Sequence, residues 1–252
     1  MIEFSAAEIA RITGGRLVGD PQTIPTHVTT DSREVVDGSL YVAKPGERAD
    51  GHSFIGAAFA SGAVLALCER EAADDAGNPF PSVVVPDAVL AMGALAKEAV
   101  RRIREKRAER GQKFTVVGIT GSAGKTTTKD LVTGIFRSTP EGSAGPTSTV
   151  SPQGSYNGEV GVPLTVFTAD EATRYLVIEM GATGIGHIRY LADMVVPDIG
   201  VVLVVGSAHA GEFGGVENIA IAKGELVEAL APEGTAVMNY DDPRVRAMEA
   251  RT

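Results

Sequence analysis

The chain has 252 residues, 44% of them hydrophobic, and a formal charge of −9. That length and apolar content suit one large or two small globular domains rather than a disordered chain, while the negative charge argues against a general nucleic-acid surface, which needs clustered cations. Cys68 is the single cysteine, so intrachain disulfides and cysteine-rich zinc sites are excluded.

The opening "MIEFSAAEIARITGG" lacks a charged-then-apolar signal pattern, and the longest aliphatic run, Ile199 to Val205, falls far short of the ~20 residues of a membrane span. A cytoplasmic protein without a membrane span is expected. In residues 2 to 13, Ser5 and Glu8 have capping-box spacing ahead of Ile9 and Ile12, predicting a short helix. Short strand-like pieces follow, "RLVG", "HVTTDSR" and "SLYVAK", then a helix in "SFIGAAFASGA" and strands in "AVLALCE" and "PSVVVP". These form a small α/β unit ending near Pro86. Residues 87 to 110 predict one helix capped by Asp87 and stopped by Gly111, its basic tail interleaved with glutamates as an ion-paired face.

From Phe114, apolar strands alternate with helices: "FTVVGIT", a helix from Lys125, "YLVIEM", a helix over Gly186 to Met194, "DIGVVLVVG", a helix over Val216 to Ala231, and "TAVMN". This alternation predicts a parallel sheet covered on both faces, with ligands at the carboxyl ends of its strands.

The segment "VGITGSAGKTTT" lies at the first of those strand ends. It departs from the usual G-x-x-x-x-G-K-[ST] loop because Ile119 occupies the first glycine position. The physics is nonetheless that of a phosphate loop. Gly121 and Gly124 let backbone N–H groups approach phosphate oxygens, the following helix offers its amino terminus, Lys125 reaches the terminal phosphates and the Thr126 hydroxyl suits magnesium. Leu131, Val132, Ile135 and Phe136 are expected to form the apolar face of that helix.

Glu179 ends the "YLVIE" strand. It either meets a cation that separates it from phosphate or caps the next turn. His209 follows the next strand, as an ordinary hydrogen-bonded histidine or as a ligand-edge group. Lys223 shares a helical stripe with Ile219, Leu226 and Leu230. Its amine is either buried, which favours the neutral form that reacts with carbon dioxide, or turned outward on a packed stem. Asn239 either bonds an adenine edge or starts a turn with Asp241, Asp242 and Pro243.

The segments "TGSAGKTTTKDL", "SYNGEVGVPLTV", "VIEMGATGIGHI", "GSAHAGEFGGVENIAIAKGEL" and "NYDDPRV" occur in the order seen in the Mur ligases, the ATP-dependent amide-bond ligases of bacterial cell-wall synthesis. The resemblance covers nearly the whole chain. "TTDSREVVDGSLYVAKPGERADGHSFIGAAFASGA" resembles the uridine-nucleotide domain of the types that add the third residue or the final dipeptide, and "DGHSF", "GSAHAGEFGG" and "AKGEL" most resemble the dipeptide-adding type.

The fold implied is α/β: a small uridine-nucleotide-binding domain over 1–86, then a P-loop-type, mostly parallel-sheet ATP-binding domain over 87–252 that is cut short, with the carboxyl-terminal ligase domain absent. The 252-residue chain is therefore expected to be a monomeric fragment that binds uridine nucleotide, and ATP weakly, without ligating alone. The partners implied are UDP-N-acetylmuramoyl-tripeptide and D-alanyl-D-alanine; the cofactors are ATP and magnesium.

By matching position, Thr120, Gly121, Ser122, Ala123, Gly124, Lys125, Thr126 and Thr127 would cradle ATP phosphates and Asn239 would contact adenine. Thr126 and Glu179 would hold magnesium. His209 would hold a second magnesium with Lys223, the latter as a carbamate. Lys125, His209 and Lys223 would serve catalysis, Asn157 would lie near the substrate, and Ser32 and Arg33 near the uridine diphosphate end. Gly158 and Val204 depart from asparagines common in the family. The alternatives are a ligase adding a diamino acid at the third position and a non-catalytic nucleotide-binding module.

Overall fold

A computed structural model describes the chain except residues 47, 48, 141, 142, 146, 207–209 and 252, and except the side chains at 210 and 212. Two compact units, Met1–Ala99 and Val100–Thr252, divide the chain inside a helix that begins at Ala88.

In the first unit, α1 (Ala6–Thr13) starts where expected. The Ser5 hydroxyl accepts from the Glu8 N–H at 3.3 Å, and the Glu8 carboxylate accepts from the Ser5 N–H at 2.9 Å, satisfying two otherwise orphaned donors. Next come β1 (Arg16–Val18), β2 (His27–Thr29), β3 (Ser39–Ala43), α2 (Ile55–Ala60), β4 (Ala63–Cys68) and β5 (Ser82–Val84). The sheet order is β1-β5-β4-β3-β2, with β2 to β5 parallel and β1 antiparallel at the edge. Every residue of β3 is buried, as its unbroken apolar run requires of a strand covered on both faces.

The helix α3 (Ala88–Glu109) is capped by Asp87, whose Oδ1 accepts from the N–H groups of Val89 and Leu90 at 2.8 and 2.9 Å. Gly111 follows its end with φ +65°. The basic tail pairs with protein: Arg104 meets Asp198 at 2.8 Å, while Lys106 and Arg110 both meet Glu171.

The second unit comprises β6 (Thr115–Thr120), α4 (Lys125–Arg137), β7 (Thr149–Val150), α5 (Gly161–Phe167), β8 (Tyr175–Glu179), α6 (His187–Val195), β9 (Ile199–Val202), α7 (Ala210–Phe213), α8 (Val216–Glu228), β10 (Thr235–Met238) and α9 (Pro243–Arg246). Its strands form an all-parallel sheet in the order β10-β9-β6-β8-β7, with β6 central and fully buried.

The helix α8 sits close on this sheet because two strand positions are glycine. A Cβ at Gly118 would lie 3.0 Å from Leu226, and one at Gly200 would lie 3.2 Å from it. Lys223 is one turn nearer the helix start than Leu226, which carries it toward the carboxyl ends of the strands.

One expectation about α4 is corrected. Val132 and Phe136 do pack on Val117, Ile119 and Val177, but Leu131 and Ile135 are 64% and 62% exposed. The inward stripe is Lys129, Val132, Thr133 and Phe136, at i, i+3, i+4 and i+7, and two of its members are polar residues that a hydrophobic pattern passes over. Among the described residues, no helix is long and apolar enough to cross a membrane.

Candidate functional site

The strand β6 runs directly into the loop Gly121–Gly124 and then α4. Thr120 is buried, and its hydroxyl donates to the Met180 carbonyl at 2.9 Å, which ties the end of β6 to the segment after β8. Gly124 has φ +81°, a left-handed conformation that favours glycine and opens α4 at Lys125. A Cβ at Gly121 would lie 2.9 Å from Leu203. The Ser122 N–H donates to the Val204 carbonyl at 2.8 Å, so position 204 serves the loop through its backbone whatever its side chain. Ala123 and Thr127 are exposed, and the Lys125 ammonium donates to the Gly121 carbonyl at 2.9 Å, folded back over the turn.

Glu179 is 1% exposed at the end of β8. One carboxylate oxygen accepts from the Thr126 hydroxyl at 2.8 Å and the other from the Asn157 amide at 2.7 Å. Ser155 Oγ stands 3.5 Å from Thr126 Oγ1. Residues from two separate stretches, Thr126 and Asn157, thus converge on one carboxylate. Gly158 leaves open space where a side chain could stand.

Lys223 is 5% exposed, which excludes the outward-turned alternative, and no described residue hydrogen-bonds or ion-pairs with it. Burial, then the charge of Lys125, lowers its pKa to about 8 from the usual 10.5. Two residues on, Glu225 is also buried, and its carboxylate accepts from the N–H groups of Gly186 and Arg189 at 2.5 and 2.9 Å, capping α6. His209 lies outside the described residues. Asn239 is exposed just past β10, and its Oδ1 accepts from the Asp241 N–H at 3.1 Å, so it does start the turn. Asp242 caps α9 and also accepts from the Val205 N–H at 2.8 Å. Burial pushes its carboxyl up, but the donors Val205, Arg244 and Val245 outweigh that and lower its pKa.

The first unit has its own cavity of about 370 Å³, whose lining includes Thr30, Asp31, Ser32, Arg33, Tyr41, Lys44 and Phe54. Arg33 hydrogen-bonds Asp31 through Nε at 2.9 Å, which with the Arg33 backbone N–H brings the Asp31 pKa down to about 2. The buried Tyr41 hydroxyl donates to the Gly51 carbonyl at 3.0 Å, and burial followed by the charges of Asp31 and Asp50 raises its pKa. Behind that wall, His52 Nε2 accepts from the Glu69 N–H at 2.8 Å, so its Nδ1 carries the proton donated to Asp50 at 2.6 Å.

A family model described as the Mur ligase middle domain matches residues 119–252, and one described as the Mur ligase family, catalytic domain, matches residues 25–109. The chain belongs to the Mur ligase family. It is 39% identical, over its whole length, to the UDP-N-acetylmuramoyl-tripeptide–D-alanyl-D-alanine ligase of Mycobacterium tuberculosis, covering 51% of that protein. The crystal structure of MurF from Acinetobacter baumannii superposes with a TM-score of 0.83 at 30% identity, covering all of this chain and 52% of that one. MurF from Thermotoga maritima in complex with ADP matches at 0.72 and 33% identity, over 89% of this chain and 48% of that one. The chain spans about half the length of the curated relatives it matches.

In this Mur ligase chain, the structure brings Thr126, Asn157 and Glu179 together at the second sheet's edge, beside groups that the sequence reading passed over. Lys129 and Ser155 belong to the same cluster. Lys129 stands one helical turn past Thr126, a spacing that could have marked it. Tyr41, Lys44 and Thr30 join Ser32 and Arg33 around the cavity; the ends of parallel strands were the available signal.

Proposed function

We propose that the protein is an ATP-dependent ligase that joins D-alanyl-D-alanine to the terminal carboxylate of UDP-N-acetylmuramoyl-tripeptide. The observation carrying this is the 39% identity, over the entire chain, to relatives named for that reaction. The terminal carboxylate attacks the γ-phosphorus of ATP, ADP leaves, and the dipeptide amine then displaces phosphate from the acyl phosphate. The loop from Thr120 to Thr127 receives the ATP phosphates, Lys125 neutralises charge on the transferred group, and Asn239 Nδ2, which the turn hydrogen bond does not use, takes the adenine edge.

The Thr126 hydroxyl and Glu179 carboxylate fit magnesium: they are hard oxygen donors already 2.8 Å apart beside the phosphate loop. Magnesium would supply charge neutralisation between Glu179 and the phosphates, leaving most of its coordination sphere to phosphate and water. Lys223 suits carbamylation because its buried amine is biased toward the neutral form. With His209, it would hold a second ion. In the first unit, Arg33, Lys44 and the hydroxyls of Ser32 and Thr30 suit the diphosphate of the uridine nucleotide. In the second unit, Asn157, whose amide donates to Glu179, would lie near the substrate.

Calorimetry of the chain tests this against the third-residue-adding alternative. UDP-N-acetylmuramoyl-tripeptide is expected to bind saturably and several-fold more tightly than the corresponding dipeptide. A preference for the dipeptide moves the assignment to the other ligase type, and binding of neither leaves only a nucleotide-binding module.

A further inference from the structure

Lys129 is 3% exposed, yet it carries an ammonium. That ammonium donates to the Pro152 carbonyl at 3.0 Å and the Gly154 carbonyl at 3.2 Å, and it lies 2.8 Å from the Asp130 carboxylate. Burying a cation is costly, and an apolar side chain of similar length would fill the same space. Stability alone therefore gives no reason for a lysine here. What the ammonium adds is direction: it gathers two carbonyls of a segment between β7 and α5.

The far end of the same segment is fastened elsewhere. The Asn157 carbonyl accepts from the Gly181 N–H at 2.8 Å, and the Asn157 amide donates to Glu179 at 2.7 Å. Between these fastenings stand Ser155, beside Thr126, and Tyr156, which is 51% exposed. Residues 152–157 thus form a strap across the Thr126–Glu179 pair, clipped to α4 at one end and to the end of β8 at the other.

We propose that Lys129 is a positioning residue for the phosphate site: it anchors this strap so that Asn157 holds Glu179 in the orientation that meets a metal-bound nucleotide. The proposal rests on the nucleotide-binding reading above. It differs from a structural role for Lys129 in α4 because its effect must pass through Asn157.

A double-mutant cycle separates the two. Magnesium-ATP affinity is measured by calorimetry for the unaltered chain, Lys129→Met, Asn157→Ala and the double variant. Each single change is expected to weaken binding about tenfold, the scale of a hydrogen bond to a charged group. The double variant is expected to be no weaker than the worse single one, and magnesium-free ATP affinity is expected to shift less than about twofold. Additive losses would overturn the proposal.

A second readout does not depend on nucleotide. The chain has no tryptophan, so Tyr156→Trp places a single reporter in the strap. Adding Lys129→Met is expected to lower its fluorescence anisotropy, and an unchanged anisotropy would overturn the proposal. Absence of magnesium-ATP binding to the unaltered chain, with anisotropy responding as expected, would instead remove the nucleotide-binding reading and leave the anchor standing. If Lys129→Met fails to fold, Lys129→Gln is read in both assays with the same expectations.

Discussion

The two units present polar groups at the carboxyl ends of parallel strands in opposite ways. In the second unit the key groups are buried: Glu179 is 1% exposed, Lys129 3% and Lys223 5%. In the first, the Arg33 side chain is 87% exposed and its partner Asp31 32% exposed, at the mouth of an open cavity. A buried charge is coupled to folding and to its neighbours, because water cannot replace a missing partner. An exposed charge is screened and contributes little to stability. Substitutions in the second site should therefore alter stability as well as binding, whereas those in the first should alter binding alone.

Lys223 gives the largest effect. Its folded-state pKa of about 8 lies below the ordinary 10.5, so burial penalises the protonated form. Below pH 8 both folded and unfolded chains hold the proton and the penalty is fully present. Between pH 8 and 10.5 the native lysine loses its proton while the unfolded one keeps it, and stability rises with pH. In bicarbonate-free buffer at pH 7, Lys223→Met should unfold at higher denaturant, by roughly 3 kcal/mol. That advantage should shrink across the same pH window. A gap that does not change with pH would break the contrast between the units. Arg33→Ala gives the smaller effect: UDP affinity should fall by about threefold to tenfold with an unchanged melting temperature, since an exposed charge contributes to ligand capture rather than to folding. A lowered melting temperature would show that Arg33 is coupled to the fold after all.

The same contrast explains what the sequence made legible. The capping box at Ser5, the Asp87 cap and the long apolar strands are local signals, and the structure contains them as expected. Glu179 was visible because a carboxylate ending an apolar run stands out, and Lys223 because it interrupts an apolar stripe. By contrast, β7 is only two residues long, and α5 begins in a glycine-containing stretch without a side-chain cap, so neither carries much periodicity. Lys129 and Thr133 were hidden for a different reason. Hydrophobicity assigned the inward face of α4 to Leu131 and Ile135, while the real face is completed by polar residues whose partners come from distant segments. The lining of the first cavity depended on how β2 and β3 align, which spacing alone does not convey.

The central claim is that the Thr126–Glu179 pair works with a magnesium ion at the phosphate loop. Calorimetry of ATP binding with and without magnesium, on the unaltered chain and on Glu179→Gln, tests it most directly. ATP binding that strengthens with magnesium in the unaltered chain, and loses that dependence in Glu179→Gln, is the predicted result. Binding indifferent to magnesium in both, or equally dependent on it in both, would contradict the account.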